Sequence, residues 1–231
     1  AERTTMPFDV HVVRVFTDDQ GRWGNPLGIV DAASVAPADR QSVAHELQYS
    51  ETVFVDVPAG AAQSTALRIH TPAVELPFAG HPTVGTAAWL ADRGTPVDAL
   101  LVPAGEVAVR FADGVTYVRA RPSWAPQFEF HPVASPADVL AVDPSDFADG
   151  HHYVWAWADE KGGAIRSRMF APDMGVPEDE ATGAAAVRVT ELLGRDLSIV
   201  QGRGSVLSTT LSDDGWVELG GRVVADESRT L

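Results

Sequence analysis

The chain has 231 residues, no cysteine, 45% hydrophobic residues and a net charge of −15. That length holds one large domain or two lobes of roughly 110 residues each. The acidic balance argues against nucleic acid and anionic membrane surfaces as partners, and the lack of cysteine excludes disulfides, thiolate chemistry and Cys-based zinc sites.

No signal peptide and no apolar run of about 18 residues is read, so the expectation is a soluble, cytoplasmic protein with residues 1–5 as a loose start. Phe8 to Phe16 alternates and is rich in Val, which predicts a strand. Asp18 to Gly21 is a turn, Gly24-Asn25-Pro26 a second tight feature, and Leu27 to Val30 a short buried strand. Pro37 suits the first turn of a helix running to about Leu47, and a strand follows from Thr52 to Val55. Glu51 therefore stands where a helix hands over to a strand, a junction that can expose a side chain at the rim of a sheet. Ala66 to His70 is the next strand. The helix from about Thr83 to Asp92 has little polar character on any face, which predicts that other structure wraps it. Strands near Glu106 to Phe111 and Val115 to Arg119 meet at the hairpin turn Asp113-Gly114. Residues 122–149, with five prolines, read as a connector holding a short helix near Pro136 to Ala141. Strands at Tyr153 to Ala158 and Ala164 to Phe170, a helix at about Thr182 to Leu193, and a strand pair flanking Asp214-Gly215 complete the chain.

The second half restates the first. Arg68, Pro72 and Pro77 recur without a gap as Arg168, Pro172 and Pro177, and Gly80 recurs as Gly183 after a three-residue insertion. Gly94 and Gly194 stop the two central helices, and Gly204-Ser205-Val206 mirrors Gly105-Glu106-Val107. The expectation is an α+β fold of two pseudo-symmetric lobes, residues 1–120 and 121–231, with two helix N-termini able to face each other.

Helix N-termini attract anions through their free N–H groups. A glycine at each, Gly80 and Gly183, lets a ligand approach the backbone; the plainer alternative is that each only permits the turn. Glu51 is the candidate acid and base, against the alternative of a solvated glutamate. His81 is a candidate substrate contact or a structural hydrogen-bonder. Asp179 is a candidate site residue or simply a helix-start carboxylate. The histidines show no H-x-x-x-H pattern and no carboxylate set at metal spacing, and His151 and His152 would point to opposite faces of a strand. No metal is expected. No G-x-G-x-x-G follows a strand, and there is neither a Walker loop nor a G-x-S-x-G elbow.

Several motifs together carry a family resemblance: Gly24 to Val30, Glu46 to Val55, Thr71 to Thr86, Ser167 to Pro172, Glu178 to Gly183 and Gln201 to Gly204. With them the chain resembles the PhzF-like isomerases, within the diaminopimelate-epimerase fold superfamily. The resemblance implies two lobes, each a curved mixed β-sheet around a central helix, with a ligand cleft between them. It implies a cofactor-independent isomerase for a small carboxylate-bearing substrate, with Glu51 shuttling a proton and His81 and Asp179 assisting. Ser50, Gly80, Thr182, Gly183 and Ala184 then fall at substrate-binding positions. Ala184 stands where a small hydroxyl residue is common, forfeiting one hydrogen bond of roughly 0.5–1.5 kcal/mol. The connector is positioned to shape one wall of the cleft, and a homodimer is expected by family analogy. The alternative from another class is a non-catalytic small-molecule-binding protein on the same scaffold.

Overall fold

The structure, a computed structural model, describes residues 6–231, so the loose start expected at residues 1–5 lies outside it. The first half carries β1 (Asp9–Thr17), β2 (Asn25–Asp31), α1 (Arg40–Leu47), β3 (Glu51–Val55), β4 (Ser64–His70), β5 (Glu75–Leu76), α2 (Gly80–Asp92), β6 (Ala99–Val102), β7 (Gly105–Ala112) and β8 (Val115–Ala120). The second half carries β9 (Glu129–Pro132), α3 (Pro136–Leu140), β10 (His152–Asp159), β11 (Ala164–Ala171), β12 (Val176–Asp179), α4 (Gly183–Leu193), β13 (Leu197–Gln201), β14 (Ser205–Leu211), β15 (Val217–Ala225) and β16 (Arg229–Thr230).

The first lobe is a closed ring of strands, β1-β2-β3-β4-β6-β7-β8-β15 and back to β1, around α2. The β2–β3 and β4–β6 pairings are parallel. This explains why α2 reads apolar on every side: from Gly80 to Ala87 each of its residues is buried. Its small residues set how near the wall can come. A Cβ on Gly85 would lie 2.6 Å from Leu27 Cδ2 and 2.7 Å from Val15 Cγ2, so β1 and β2 pack directly on the helix backbone. A mid-helix glycine costs roughly 0.5–1 kcal/mol against alanine, which this close packing offsets. The helix begins at Gly80 rather than at the expected Thr83, because Pro82 fits a first turn whose N–H groups need no intrahelical partner.

The second lobe is the open sheet β15-β14-β13-β11-β10-β9, with β12 paired to β11, and it carries α4. Ala184, Ala185, Ala186, Val187 and Val189 bury that helix, and Gly194 ends it in the left-handed region at φ 67°. The strand β15 belongs to both lobes: it pairs with β14 on one side, with β8 on the other, and with β1 across the ring closure. The two mirrored hairpins differ in detail. Asp113 and Gly114 both have positive φ and form a two-residue turn, whereas Asp214-Gly215 lies in a longer loop closed by Ser212 N–H to the Trp216 carbonyl. Among the described residues, no helix is long and apolar enough to cross a membrane.

Candidate active site

At one end of the first lobe, α1 closes with Gln48 in the left-handed conformation (φ 60°), its N–H bonded to the Ala44 carbonyl. That reversal delivers Ser50 and Glu51 straight into β3. Parallel pairing sets Glu51 opposite Leu27, so Asn25 and Pro26 at the head of β2 lie at the same end of the sheet as Glu51. His81 is the second residue of α2 and opens onto this end as well. From the second lobe, β12 ends at Asp179, paired with Met169 of β11, and β13 ends at Gln201, paired with Ser167. Strand ends from both halves thus converge on the starts of α2 and α4.

Glu51, His81 and Asp179 come together there, and all three are buried, with Glu51 8% and Asp179 4% exposed. The two carboxylates are held differently. Both oxygens of Asp179 are occupied: Asn25 Nδ2 donates to Oδ1 at 2.8 Å and Thr182 Oγ1 donates to Oδ2 at 2.7 Å. Glu51 Oε2 is buried without a hydrogen bond. It lies 2.9 Å from His81 Nδ1, an ion-pair contact in which the ring N–H is not squarely aligned on the oxygen. The other ring nitrogen, Nε2, lies 3.3 Å from the Pro26 carbonyl, which can only accept. That assigns a hydrogen to Nε2 and leaves Nδ1 as the nitrogen that gains or loses a proton beside Glu51.

Charge and burial act together on these groups. For His81, burial opposes the charged form, but the Glu51 carboxylate, with Asp179 and the Pro26 carbonyl, outweighs it and holds the imidazole above its ordinary value. For Asp179, burial and then the Glu51 charge push the carboxyl up to about 6, against the lowering influence of His81, Thr182 and Asn25. The titrations of His81 and Asp179 are therefore linked, each raised by its buried neighbours.

Ser50, Glu51, Asp179 and Thr182 form the polar lining of a cavity between the lobes, and Leu76, Phe128, Met169, Met174, Val176 and Ala184 are among its apolar walls. It measures about 20 Å³, room for one water molecule. An open groove of about 310 Å³ leads away from it and shares Ser50, Val176 and Asp179. A larger concavity of about 400 Å³ beside Trp89 and Phe111 has Asp92 as its titratable group and none of this chemistry.

The other predicted residues fall as follows. Ser50 donates to Asn25 Oδ1 at 3.0 Å. Thr182 precedes α4 with its N–H bonded to Gln201 Oε1 at 3.0 Å. Gly80 and Gly183 press on each other: a Cβ on Gly80 would lie 2.7 Å from Gly183 Cα. What approaches each glycine backbone here is the other glycine, so their small size serves the junction of the two helix starts. Asp179 does not act as a helix-start cap; its partners are the Asn25 and Thr182 side chains. Two residues with decisive contacts were given no role from sequence. Asn25 crosses between lobes to Asp179 and the Ala181 carbonyl, and Gln201 ties the Asp179 carbonyl to Thr182 Oγ1. Both sit in conspicuous motifs, Gly24-Asn25-Pro26 and Gln201-Gly202, which was the available signal.

Comparison with known proteins finds relatives of the chain. The family described as phenazine biosynthesis-like protein matches residues 13–122. The trans-2,3-dihydro-3-hydroxyanthranilate isomerase of Pseudomonas fluorescens is 30% identical over 200 residues, covering 71% of this chain and 72% of the relative. An uncharacterized isomerase of Mesorhizobium japonicum is 36% identical over 145 residues, covering 58% of this chain and 48%, about half, of that relative. In solved structures, the phenazine biosynthesis protein of the PhzF family from Enterococcus faecalis superposes with a TM-score of 0.75 at 22% identity, covering 98% of this chain and 99% of its own. A hydroxyproline epimerase from Agrobacterium vitis shares the fold at a TM-score of 0.58 and 12% identity, covering 100% of this chain and 94% of its own.

Proposed function

The chain belongs to the phenazine biosynthesis-like (PhzF) family of isomerases, and from that premise we propose that it moves a proton between two carbons of a small carboxylate-bearing substrate without a cofactor. The observation that carries this reading is Glu51 Oε2, buried without a hydrogen bond at the cavity and 2.9 Å from His81 Nδ1. An ionised Glu51 takes a proton from one carbon; the C–H electron pair moves into a new double bond, and the old double bond takes the proton back at its far carbon. Nothing is oxidised or reduced. His81, with Nε2 fixed on Pro26, holds positive charge or a proton at Nδ1 while Glu51 changes state. Asp179, anchored by Asn25 and Thr182, positions the second wall and adds its charge to that of Glu51 in keeping His81 protonated. Thr182, the starts of α2 and α4, and Ser50 hold the substrate carboxylate, and the apolar walls take a ring or alkyl body. Entry of a substrate into so small a cavity requires the lobes to part, and their closure shields the travelling proton from solvent.

The test is deuterium exchange. Cyclic amino and hydroxy carboxylates, including the trans-2,3-dihydro-3-hydroxyanthranilate named for the relative, are incubated with the protein in D2O and followed by NMR. Wild type is expected to convert a ligand or label it at carbon, and Glu51→Gln to lose this by about 10²–10⁴-fold while still showing a ligand-induced thermal shift. Equal exchange by the variant would remove Glu51 from the mechanism. A ligand bound by both with no exchange in either would favour a non-catalytic binding protein.

A further inference from the structure

Away from the cleft, sheet register assembles a second group of titratable side chains. The strands β9 and β10 run parallel, with His152 opposite Glu129 and Val154 opposite His131. Glu129 and His131 are two residues apart on β9 and so share a face. Glu129 and His131 are neighbours along the sequence; the parallel pairing brings His152 to them from 21 positions beyond His131. Glu129, His131 and His152 offer three ligand atoms within 4.8 Å of one another. His131 Nε2 lies 3.0 Å from His152 Nδ1, Glu129 Oε2 lies 3.4 Å from His152 Nδ1, and Glu129 Oε2 lies 3.9 Å from His131 Nε2. Tetrahedral zinc with bonds of about 2.0–2.1 Å holds its ligands roughly 3.3–3.4 Å apart, so this triangle matches one face of such a site.

The surroundings orient the rings as a metal requires. His152 Nε2 lies 2.8 Å from the Asp149 carbonyl, so Nε2 carries the hydrogen and Nδ1 turns a lone pair into the triangle. Gly150, at φ +81°, brings that carbonyl round, and a Cβ there would lie 2.8 Å from His152 Nε2. Phe147 stacks on His152 at 4.4 Å and on the buried Phe170 at 4.9 Å, and His131 leans on Phe147 at 5.8 Å. Glu129 is exposed, which leaves the fourth position to water. We propose that Glu129, His131 and His152 bind a divalent transition-metal ion of the zinc class on the outer face of the second lobe. When the ion enters, the hydrogen on His131 Nε2 is given up to solvent and one is taken up at His131 Nδ1, so the ring stays neutral and its Nε2 lone pair turns to the ion. The ion would staple β9 to β10 across residues 133–151.

Zinc chloride, and separately cobalt(II) chloride, titrated calorimetrically into the tag-free chain would test this. One ion per chain is expected, with the visible absorption of four-coordinate cobalt and a rise in Tm on zinc addition. Glu129→Gln, His131→Ala and His152→Ala are each expected to weaken binding by about tenfold or more and to abolish the cobalt band, whereas His45→Ala, on α1, leaves both intact. Glu129 is exposed, so its substitution tests the site without disturbing the fold. Absence of binding overturns the proposal, as does binding from which any one of the three can be removed without loss.

Discussion

Glu51 and Asp179 are buried carboxylates that both act on the charge of His81, and their hydrogen bonding differs. Asp179 accepts from Asn25 and Thr182, while Glu51 Oε2 accepts from no aligned donor. A fixed carboxylate suits positioning, and an unanchored one suits proton transfer. The raised carboxyl of Asp179 also has a consequence for stability. Folded, it takes up a proton at about 6; unfolded, near its ordinary 3.8. Between these values the folded state binds more protons, so stability falls as pH rises through that window, by a total of up to about 3 kcal/mol. His81 acts with the same sign at higher pH: its contribution is full below its ordinary value and is lost as pH rises through the folded one. Asp179→Asn should therefore flatten the denaturation midpoint between pH 4 and 6 while leaving the loss at higher pH. An unchanged slope between pH 4 and 6 would show that Asp179 does not titrate in this window.

At the scale of elements, the contact between the starts of α2 and α4 is made of backbone. A Cβ on Gly80 would lie 2.6 Å from Leu219 Cδ2, 2.7 Å from Gly183 Cα and 2.8 Å from Gly183 C. No rotamer change relieves an encounter with a main chain, so Gly80→Ala should cost about 1–3 kcal/mol by overpacking and lower Tm by roughly 2–4 °C for each of these. Gly60→Ala, with nothing within 4 Å of its Cβ, should stay within about 0.5 kcal/mol. Equal Tm values for the two variants would contradict the role given to this junction.

The central helices, their glycine stops and the hairpin strands were legible in the sequence because each has a local cause: apolar residues all round, a left-handed cap, or alternation about a turn. The short strands β5, β9 and β12 were not, because their pairing is imposed by neighbours. In the connector, prolines conceal β9, whose register is fixed only by β10. The same division holds in the site. Glu51, His81 and Asp179 stand in recognisable motifs, whereas the bond from Asn25 to Asp179 joins residues 154 positions apart and exists only once the lobes have formed.

For the whole molecule, the sharing of β15 decides how the lobes behave. It closes the first ring against β1 and β8 and begins the second sheet with β14. One continuous core runs from Val13 and Leu27 through Leu219 to Leu197 and Ile199. The lobes should therefore unfold together: denaturation followed by far-UV circular dichroism and by fluorescence of Trp89 in one lobe and Trp155 and Trp157 in the other should give coincident transitions. Two separated transitions would show that β15 does not couple them.

Gly80 and Gly183, matching positions in the two copies of the repeat, meet each other, as matching groups do beside a two-fold axis. Two identical subunits placed across such an axis must present every group twice, so a carboxylate that carries a proton would face its own duplicate. A fused repeat has no such obligation. One step beyond each glycine, this chain has His81 on one side and Ala184 on the other. Joining the copies in one chain releases the two sides to diverge, so that the two helix starts present different groups to the space between the lobes.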